Sequence, residues 1–210
     1  KNINIFLVGG YVRDSILQIQ SKDIDLATTS LPEQTIDVLK ENNIKFSDYA
    51  KKYGSVSAYL NNRKIEITTL REDINPYGRH TEVKFTDDLK KDASRRDFTI
   101  NAIYLSFSGE VYDYYNGFED LKNNTVRFIG DAEKRIKEDY IRIFRYYSFL
   151  GCFKKNQIIS GYEDLLKKHI PKIREHLSDD IMRNEFLKFL NRPYIQNCIK
   201  DRKNSGLPNY

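Results

Sequence analysis

The chain has 210 residues, 40% hydrophobic and 31% charged, with 35 Lys and Arg against 30 Asp and Glu for a net charge of +5. That composition supports one or two small domains with a real core and excludes a wholly disordered chain. No apolar run reaches the roughly 18–20 residues of a membrane helix, the opening residues lack a secretory pattern, and Cys152 and Cys198 fit no disulfide scaffold, metal or redox spacing.

In chain order, Ile3–Val8 is a predicted strand running into Gly9-Gly10, and Tyr11–Ile19 a helix. A second strand follows at Ile24–Ala27 and a second helix at Pro32–Asn42. Ser55–Leu60 and Lys64–Leu70 read as a hairpin turning at Asn61-Asn62-Arg63. Arg71–Thr81 contains Asn-Pro and Gly and reads as a loop. Ala102–Phe107 and Val111–Tyr114 form another hairpin around Ser108-Gly109. From about Asp131 the pattern turns helical. Ala132–Leu150 is one predicted helix, with Ile136, Tyr140, Ile143, Phe144 and Tyr147 at spacings of three and four. Tyr162–Ile170 and Ser178–Leu190 follow, punctuated by Pro171 and Pro193, and Asn204-Ser205-Gly206 reads as a loop. The expected organisation is α+β, a mixed head over 1–125 and a small helical module over 126–210.

Four constellations can carry chemistry. A strand ending in Gly9-Gly10 and entering a helix presents backbone N–H groups at a positive dipole end, and Arg13 adds charge one turn later. The same turn also serves as a plain connector. Asp23 and Asp25 alternate on a strand, so they point to one side about 7 Å apart. They repel unless a cation lies between them, and Mg²⁺ takes one or two such carboxylates plus substrate phosphates. The alternative is a solvated pair at a strand end. Glu66, on the alternating strand Ile65–Thr69, is either a third carboxylate brought beside them or an exposed strand residue.

Arg95-Arg96-Asp97 precedes an apolar run, where Asp97 caps a helix or holds an arginine. In Glu138-Asp139-Tyr140-Ile141-Arg142-Ile143-Phe144-Arg145, a continuous helix puts Asp139, Arg142 and Arg145 on one stripe. That stripe is either a solvated ion-pair face or a reader of a base edge, because a carboxylate only accepts hydrogen bonds and a guanidinium only donates them. His80, His169 and His176 have no metal-ligand spacing. The basic balance, with 15 Tyr and 12 Phe, suits a nucleic-acid partner but also the bias of a low-GC genome.

Taken in order, Gly9-Gly10-Tyr11-Val12-Arg13-Asp14, Asp23-Ile24-Asp25-Leu26-Ala27-Thr28, Arg95-Arg96-Asp97-Phe98-Thr99-Ile100-Asn101-Ala102 and Glu138-Asp139-x-x-Arg142 resemble the class II tRNA nucleotidyltransferases, the CCA-adding enzymes, and the related bacterial poly(A) polymerases. Tyr115–Leu121, leading to Phe128-Ile129-Gly130-Asp131, is similar to that family's head-to-neck connection, and Ser178–Leu190 to a later neck helix. The resemblance implies a DNA polymerase β-like nucleotidyltransferase head and a helical neck. It implies two Mg²⁺ ions on Asp23 and Asp25; Glu66 is set with them among the catalytic carboxylates on the reading of its own strand. Gly10, Arg13 and Arg96 would contact the incoming nucleotide, with Gly9, Asp97 and Asn101 in the same nucleotide-binding set. Asp139 and Arg142, supported by Arg145, would act as a protein template for C or A.

The implied reaction adds C and A from CTP and ATP to the 3′ acceptor end of tRNA, in a cytoplasmic setting and without a membrane. Ser148 stands where relatives often carry a further Arg, and Asp180-Ile181 where they carry Glu-Arg, although Arg183, Glu185 and Lys188 remain. The body and tail domains of full-length relatives are expected to be absent. Sibling activities, CC-adding, A-adding or poly(A) synthesis, stay open. A metal-dependent glycosyltransferase fits Asp-x-Asp but not the ordered Arg-Arg-Asp and Glu-Asp-x-x-Arg motifs. An inactive RNA-binding remnant sits poorly with two retained aspartates.

Overall fold

The computed structural model describes residues 3–21, 23–77 and 80–196. The chain divides into two compact units, Lys1–Asn75 with Thr81–Phe118, and Pro76–His80 with Glu119–Tyr210. In the first, strands β1 (Ile5–Val8), β2 (Ile24–Thr28), β3 (Lys45–Ser47), β4 (Ser55–Leu60), β5 (Arg63–Thr69), β8 (Ile103–Ser106) and β9 (Val111–Asp113) build one sheet in the order β3-β4-β5-β2-β1-β8-β9. Neighbours are antiparallel except β2 and β5, which run parallel with Asp25 opposite Glu66 and Leu26 opposite Ile67. Helix α1 (Gly10–Ile16) follows β1, and α2 (Pro32–Glu41) follows β2.

The sequence explains these elements locally. Along β1, Phe6 and Val8 are buried while Ile5 is exposed, the period of two that a one-sided sheet demands. Pro32 opens α2 with its φ already set, and Gln34 accepts the Leu31 N–H at 2.9 Å. Ile36 and Leu39, three apart, pack with Val56 and Ala58 of β4, and Ile44, Phe46, Ile65 and Ile67 close that cluster. The β4–β5 hairpin turns through Asn61 and Asn62, at φ 49° and 59°. Two consecutive positive φ values match the right-handed strand twist, and Asn tolerates them.

The region expected to be a loop after Leu70 is a two-stranded ribbon, β6 (Arg71–Tyr77) with β7 (His80–Phe85). Asn75-Pro76 suggested irregular chain, but a ribbon held by main-chain pairing needs no hydrophobic alternation. Its root is fixed by Leu70, which is fully buried. The Leu70 N–H donates to Thr28 O at 2.8 Å, and Leu70 O accepts from Thr86 at 2.9 Å. Helix α3 (Leu89–Arg95), which the sequence pattern did not suggest, starts at Asp88, whose carboxylate accepts the Lys90 and Lys91 N–H groups.

The second unit contains α5 (Ala132–Glu138), α6 (Ile141–Leu150), α7 (Tyr162–His169), the short α8 (Ile173–His176) and α9 (Asp179–Leu190); α4 (Gly117–Lys122) carries the boundary. Ile136, Ile143, Tyr146, Leu150 and Leu166 are buried, and the Phe128 and Tyr146 rings stack at 6.0 Å. The single helix expected over Ala132–Leu150 is two. Asp139 is extended, at φ −156° and ψ 110°, and its Oδ1 accepts the Ile141 N–H at 3.0 Å. That local bond offers the backbone an alternative to continuing the helix. The expected loop at Asn204-Ser205-Gly206 lies outside the described residues.

Candidate active site

Gly9 links β1 to α1 at φ 68° and ψ −133°, a conformation open to glycine and strained for other residues. Its packing shows what the turn leaves open. A Cβ at Gly9 would lie 3.4 Å from Asp25 Oδ2 and 3.5 Å from Arg96 Nη1. One at Gly10 would lie 3.5 Å from Arg13 Nη2 and 3.6 Å from Asp25 Oδ2. With no side chain at either glycine, one carboxylate and two guanidinium groups border the turn directly.

Asp25 is half-buried on β2, and Asp23 is exposed one residue before that strand. The parallel register sets Glu66 beside Asp25, and Glu66 also accepts Lys64 Nζ at 3.1 Å. Burial raises the Asp25 pKa above the ordinary carboxylate range. The charges of Glu66 and Asp23 add to the rise, while Arg96 and Arg13 oppose it. A carboxylate destabilised in this way gains from a cation at its open face. Among the described residues, no group of three or more His, Cys, Asp or Glu gathers as a metal cage. Asp23 and Asp25 nonetheless fit Mg²⁺, a hard cation that takes one or two carboxylates and completes its shell with water and substrate phosphate.

Both arginines are held rigidly. Arg13 is 4% exposed; its Nε donates to Asp14 Oδ1 at 2.8 Å and its Nη1 to Asn101 Oδ1 at 2.6 Å. Asn101 in turn donates to Asp97 Oδ1 at 3.0 Å, and that oxygen also accepts the Phe98 N–H at 2.9 Å. Asp97 thus ties the Asn101 side chain to the main chain at Phe98, just ahead of the 3₁₀ turn Thr99–Asn101, and holds Arg13 through Asn101 rather than capping a helix. Arg96 donates through Nε to Tyr104 Oη at 2.9 Å and through Nη2 to Asp92 Oδ2 at 3.0 Å. Asp92 and Tyr104 had drawn no notice in the sequence. Asp92 carries a signal, since it precedes Arg95 and Arg96 by three and four residues, but it becomes visible only once α3 is known to be helical.

The first unit thus gathers Gly9, Gly10, Arg13, Asp25, Glu66, Arg96, Asp97 and Asn101, with Asp23 beside them. Asp139, Arg142 and Arg145 belong to the second unit, and there the expected geometry changes. Asp139 sits in the break between α5 and α6, not on the helix of Arg142. Arg142 Nη1 donates to Glu138 Oε2 at 2.8 Å and to Arg135 O at 2.6 Å, and Arg135 Nη1 reaches the same Glu138 oxygen at 2.6 Å. Arg145 lies over the Phe149 ring at 5.2 Å, as does Arg192, whose Nε donates to Ser148 Oγ at 2.9 Å.

Known proteins resemble this chain in both sequence and fold. It is 47% identical over 152 residues to the human "CCA tRNA nucleotidyltransferase 1, mitochondrial", an alignment covering 72% of this chain and 35% of that protein. The solved CCA-adding enzyme of Bacillus stearothermophilus, in complex with CTP, superposes with TM-score 0.85 at 30% identity, over 100% of this chain and 50% of that one. The Thermotoga maritima CCA-adding enzyme, complexed with tRNA, gives TM-score 0.75 at 27% identity, over 97% and 47%. The chain therefore spans half or less of the length of these relatives. Its α+β architecture is that of their polymerase β-like nucleotidyltransferase region. The poly A polymerase head domain matches residues 5–127, more than half of the sequence, and the chain belongs to that family.

Proposed function

We propose that the chain is the nucleotidyl-transferring part of a template-independent tRNA nucleotidyltransferase, adding C and A to the 3′ acceptor end of tRNA from CTP and ATP. Residues 1–125 form the catalytic head and 126–210 the nucleotide-selecting neck. The observation that carries the reading is the convergence at the Gly9-Gly10 turn, where the Asp25 carboxylate and the Arg13 and Arg96 guanidinium groups face space that two absent Cβ atoms leave open. A triphosphate needs such a place, with cationic donors for its oxygens and a carboxylate pair for its accompanying cation.

In the reaction, the RNA 3′-oxygen attacks the α-phosphorus, the bond to the β-phosphate oxygen breaks, and pyrophosphate leaves with the electron pair. Asp23 and Asp25 would hold Mg²⁺, which when bound neutralises phosphate charge and lowers the pKa of a coordinated hydroxyl. Arg13 and Arg96, fixed by Asp14, Asn101, Asp92 and Tyr104, orient the phosphates without reorganising. Asp139 and Arg142 select the base, with the Arg142 guanidinium held by Glu138 and the Arg135 carbonyl.

The named relatives, one of them with CTP and another with tRNA, support the substrate class. Two cysteines in the whole chain support a reducing, cytoplasmic setting, and among the described residues no helix is long and apolar enough to cross a membrane. The test is incubation with labelled CTP or ATP, Mg²⁺ and tRNA lacking its 3′ end, followed by sizing of the products. Stepwise growth by C and A is expected. Growth by A alone to long tails would assign a poly(A) polymerase instead, and no growth with any nucleotide would overturn the reading.

A further inference from the structure

Asp92 is the least accessible charged residue described, at 0% exposure, and nothing in the proposed chemistry uses it directly. An isolated carboxylate at that depth is prohibitively costly, so its partners define its purpose. Its two oxygens divide their work. Oδ2 accepts Arg96 Nη2 at 3.0 Å and the Tyr104 hydroxyl at 2.6 Å. Oδ1 accepts Arg95 Nε at 2.9 Å and the backbone N–H of Arg71, the first residue of β6, at 3.1 Å. Tyr104 Oη also accepts Arg96 Nε, so Arg96, Tyr104 and Asp92 close a ring of three hydrogen bonds. That ring fixes the guanidinium from its Nε and Nη2 side and turns Nη1 toward the Gly9 turn. Burial alone would push the Asp92 carboxyl up, but Arg96 and Arg95, with Tyr104 and the Arg71 N–H, outweigh it and keep the group ionised.

We propose that Asp92, acting with the Tyr104 hydroxyl, is a positioning residue that aims Arg96 at the phosphates of the incoming nucleotide. This rests on the nucleotidyltransferase reading above. A guanidinium held along its Nε and Nη2 edge, with Nη1 also donating to Asn101 O at 3.5 Å, presents Nη1 to the turn in one orientation, so its ordering entropy is spent on folding rather than on binding. Removing the clamp leaves the positive charge in place but lets it wander.

The distinguishing measurement is affinity without turnover. Binding of CTP and of CMP to the 210-residue chain is followed by calorimetry in Mg²⁺ and without tRNA, for wild type, Asp92→Asn and Tyr104→Phe. Asp92→Asn should weaken CTP binding about tenfold more than CMP binding, and Tyr104→Phe about threefold more, because a loose guanidinium costs most where phosphate charge is densest. A purely structural role would lower the melting temperature or the binding-competent fraction while leaving the CTP-to-CMP affinity ratio unchanged, and that result overturns the proposal. If Asp92→Asn does not fold, the ratio in Tyr104→Phe decides alone. A wild-type chain that fails to prefer CTP over CMP defeats the nucleotidyltransferase reading itself, and this inference with it.

Discussion

Asp25 concentrates the conflict between stability and chemistry at a single side chain. Its folded pKa is raised, so between the ordinary aspartate value and that raised value the folded state binds more protons than the unfolded one. Stability then falls as pH rises through that window, and above it the full penalty remains. Asp25→Asn should therefore melt higher than wild type at neutral pH in the absence of divalent cation, with the gain shrinking as pH is lowered through the window. The same variant should lose nucleotide addition, and thermal melts and product gels on one preparation would check both effects. An Asp25→Asn protein with wild-type turnover would remove the metal assignment. Asp92 has the opposite sign. Its depressed pKa contributes stability above the unfolded aspartate value that is lost only as pH falls through the lower folded one. The contrast shows what sequence conveys at this scale. Asp23 and Asp25 announce themselves because they alternate beside two glycines. The importance of Asp92 lies in partners supplied by Arg71 and Tyr104, which no local pattern links to it.

At the scale of elements, the break between α5 and α6 matters most. The sequence pattern predicts one continuous helix carrying both Asp139 and Arg142, because the apolar spacing of Ile136, Tyr140 and Ile143 carries through the break. Periodicity cannot register a carboxylate that bonds the main chain two residues ahead. Arg142→Ala and Asp139→Ala are each expected to erode discrimination among CTP, ATP, GTP and UTP by about 1–3 kcal/mol, the usual cost of an unpaired buried hydrogen-bonding partner. Mg²⁺ affinity should be unaffected, and competition assays with the four nucleotides would read the difference. Unchanged discrimination with a lowered melting temperature would make the pair structural. The sequence also read the β4–β5 hairpin well, since Asn61-Asn62 names its own turn, and read the β6–β7 ribbon as loop, since pairing alone holds it. Gly117 shows a constraint of another kind: a Cβ there would lie 2.2 Å from Thr99 O. Gly117→Ala should cost about 1–3 kcal/mol through overpacking, measurable by urea denaturation.

For the molecule as a whole, the charge of +5 overstates what is available to RNA. In the adjacent pairs Lys51-Lys52, Lys90-Lys91 and Lys167-Lys168, one member already meets a carboxylate: Lys51 with Glu33, Lys91 with Glu72 and Lys168 with Glu133. Exposed pairs of this kind contribute little to stability but do compete with phosphate. Each phosphate neutralised adds roughly 0.9 to the log–log salt slope on duplex and about 0.7 on single strands. The 210-residue chain should therefore bind tRNA with a shallow, measurable slope and bind an acceptor-stem minihelix comparably. Filter binding at several salt concentrations would test this, and a full tRNA bound about a hundredfold more tightly than the minihelix would refute it.

The parallel pairing of β2 with β5 also dictates the order in which the protein becomes competent. Parallel neighbours cannot be joined by a tight turn, and here α2, β3 and β4 all intervene between Asp25 and Glu66. The β4–β5 and β8–β9 hairpins close over short stretches of chain, whereas the carboxylate cluster forms only when this long loop has closed. Refolding from urea should accordingly restore far-ultraviolet dichroism before it restores capture of a fluorescent CTP analogue. A single phase shared by both signals would show that the sheet and the nucleotide site arise together.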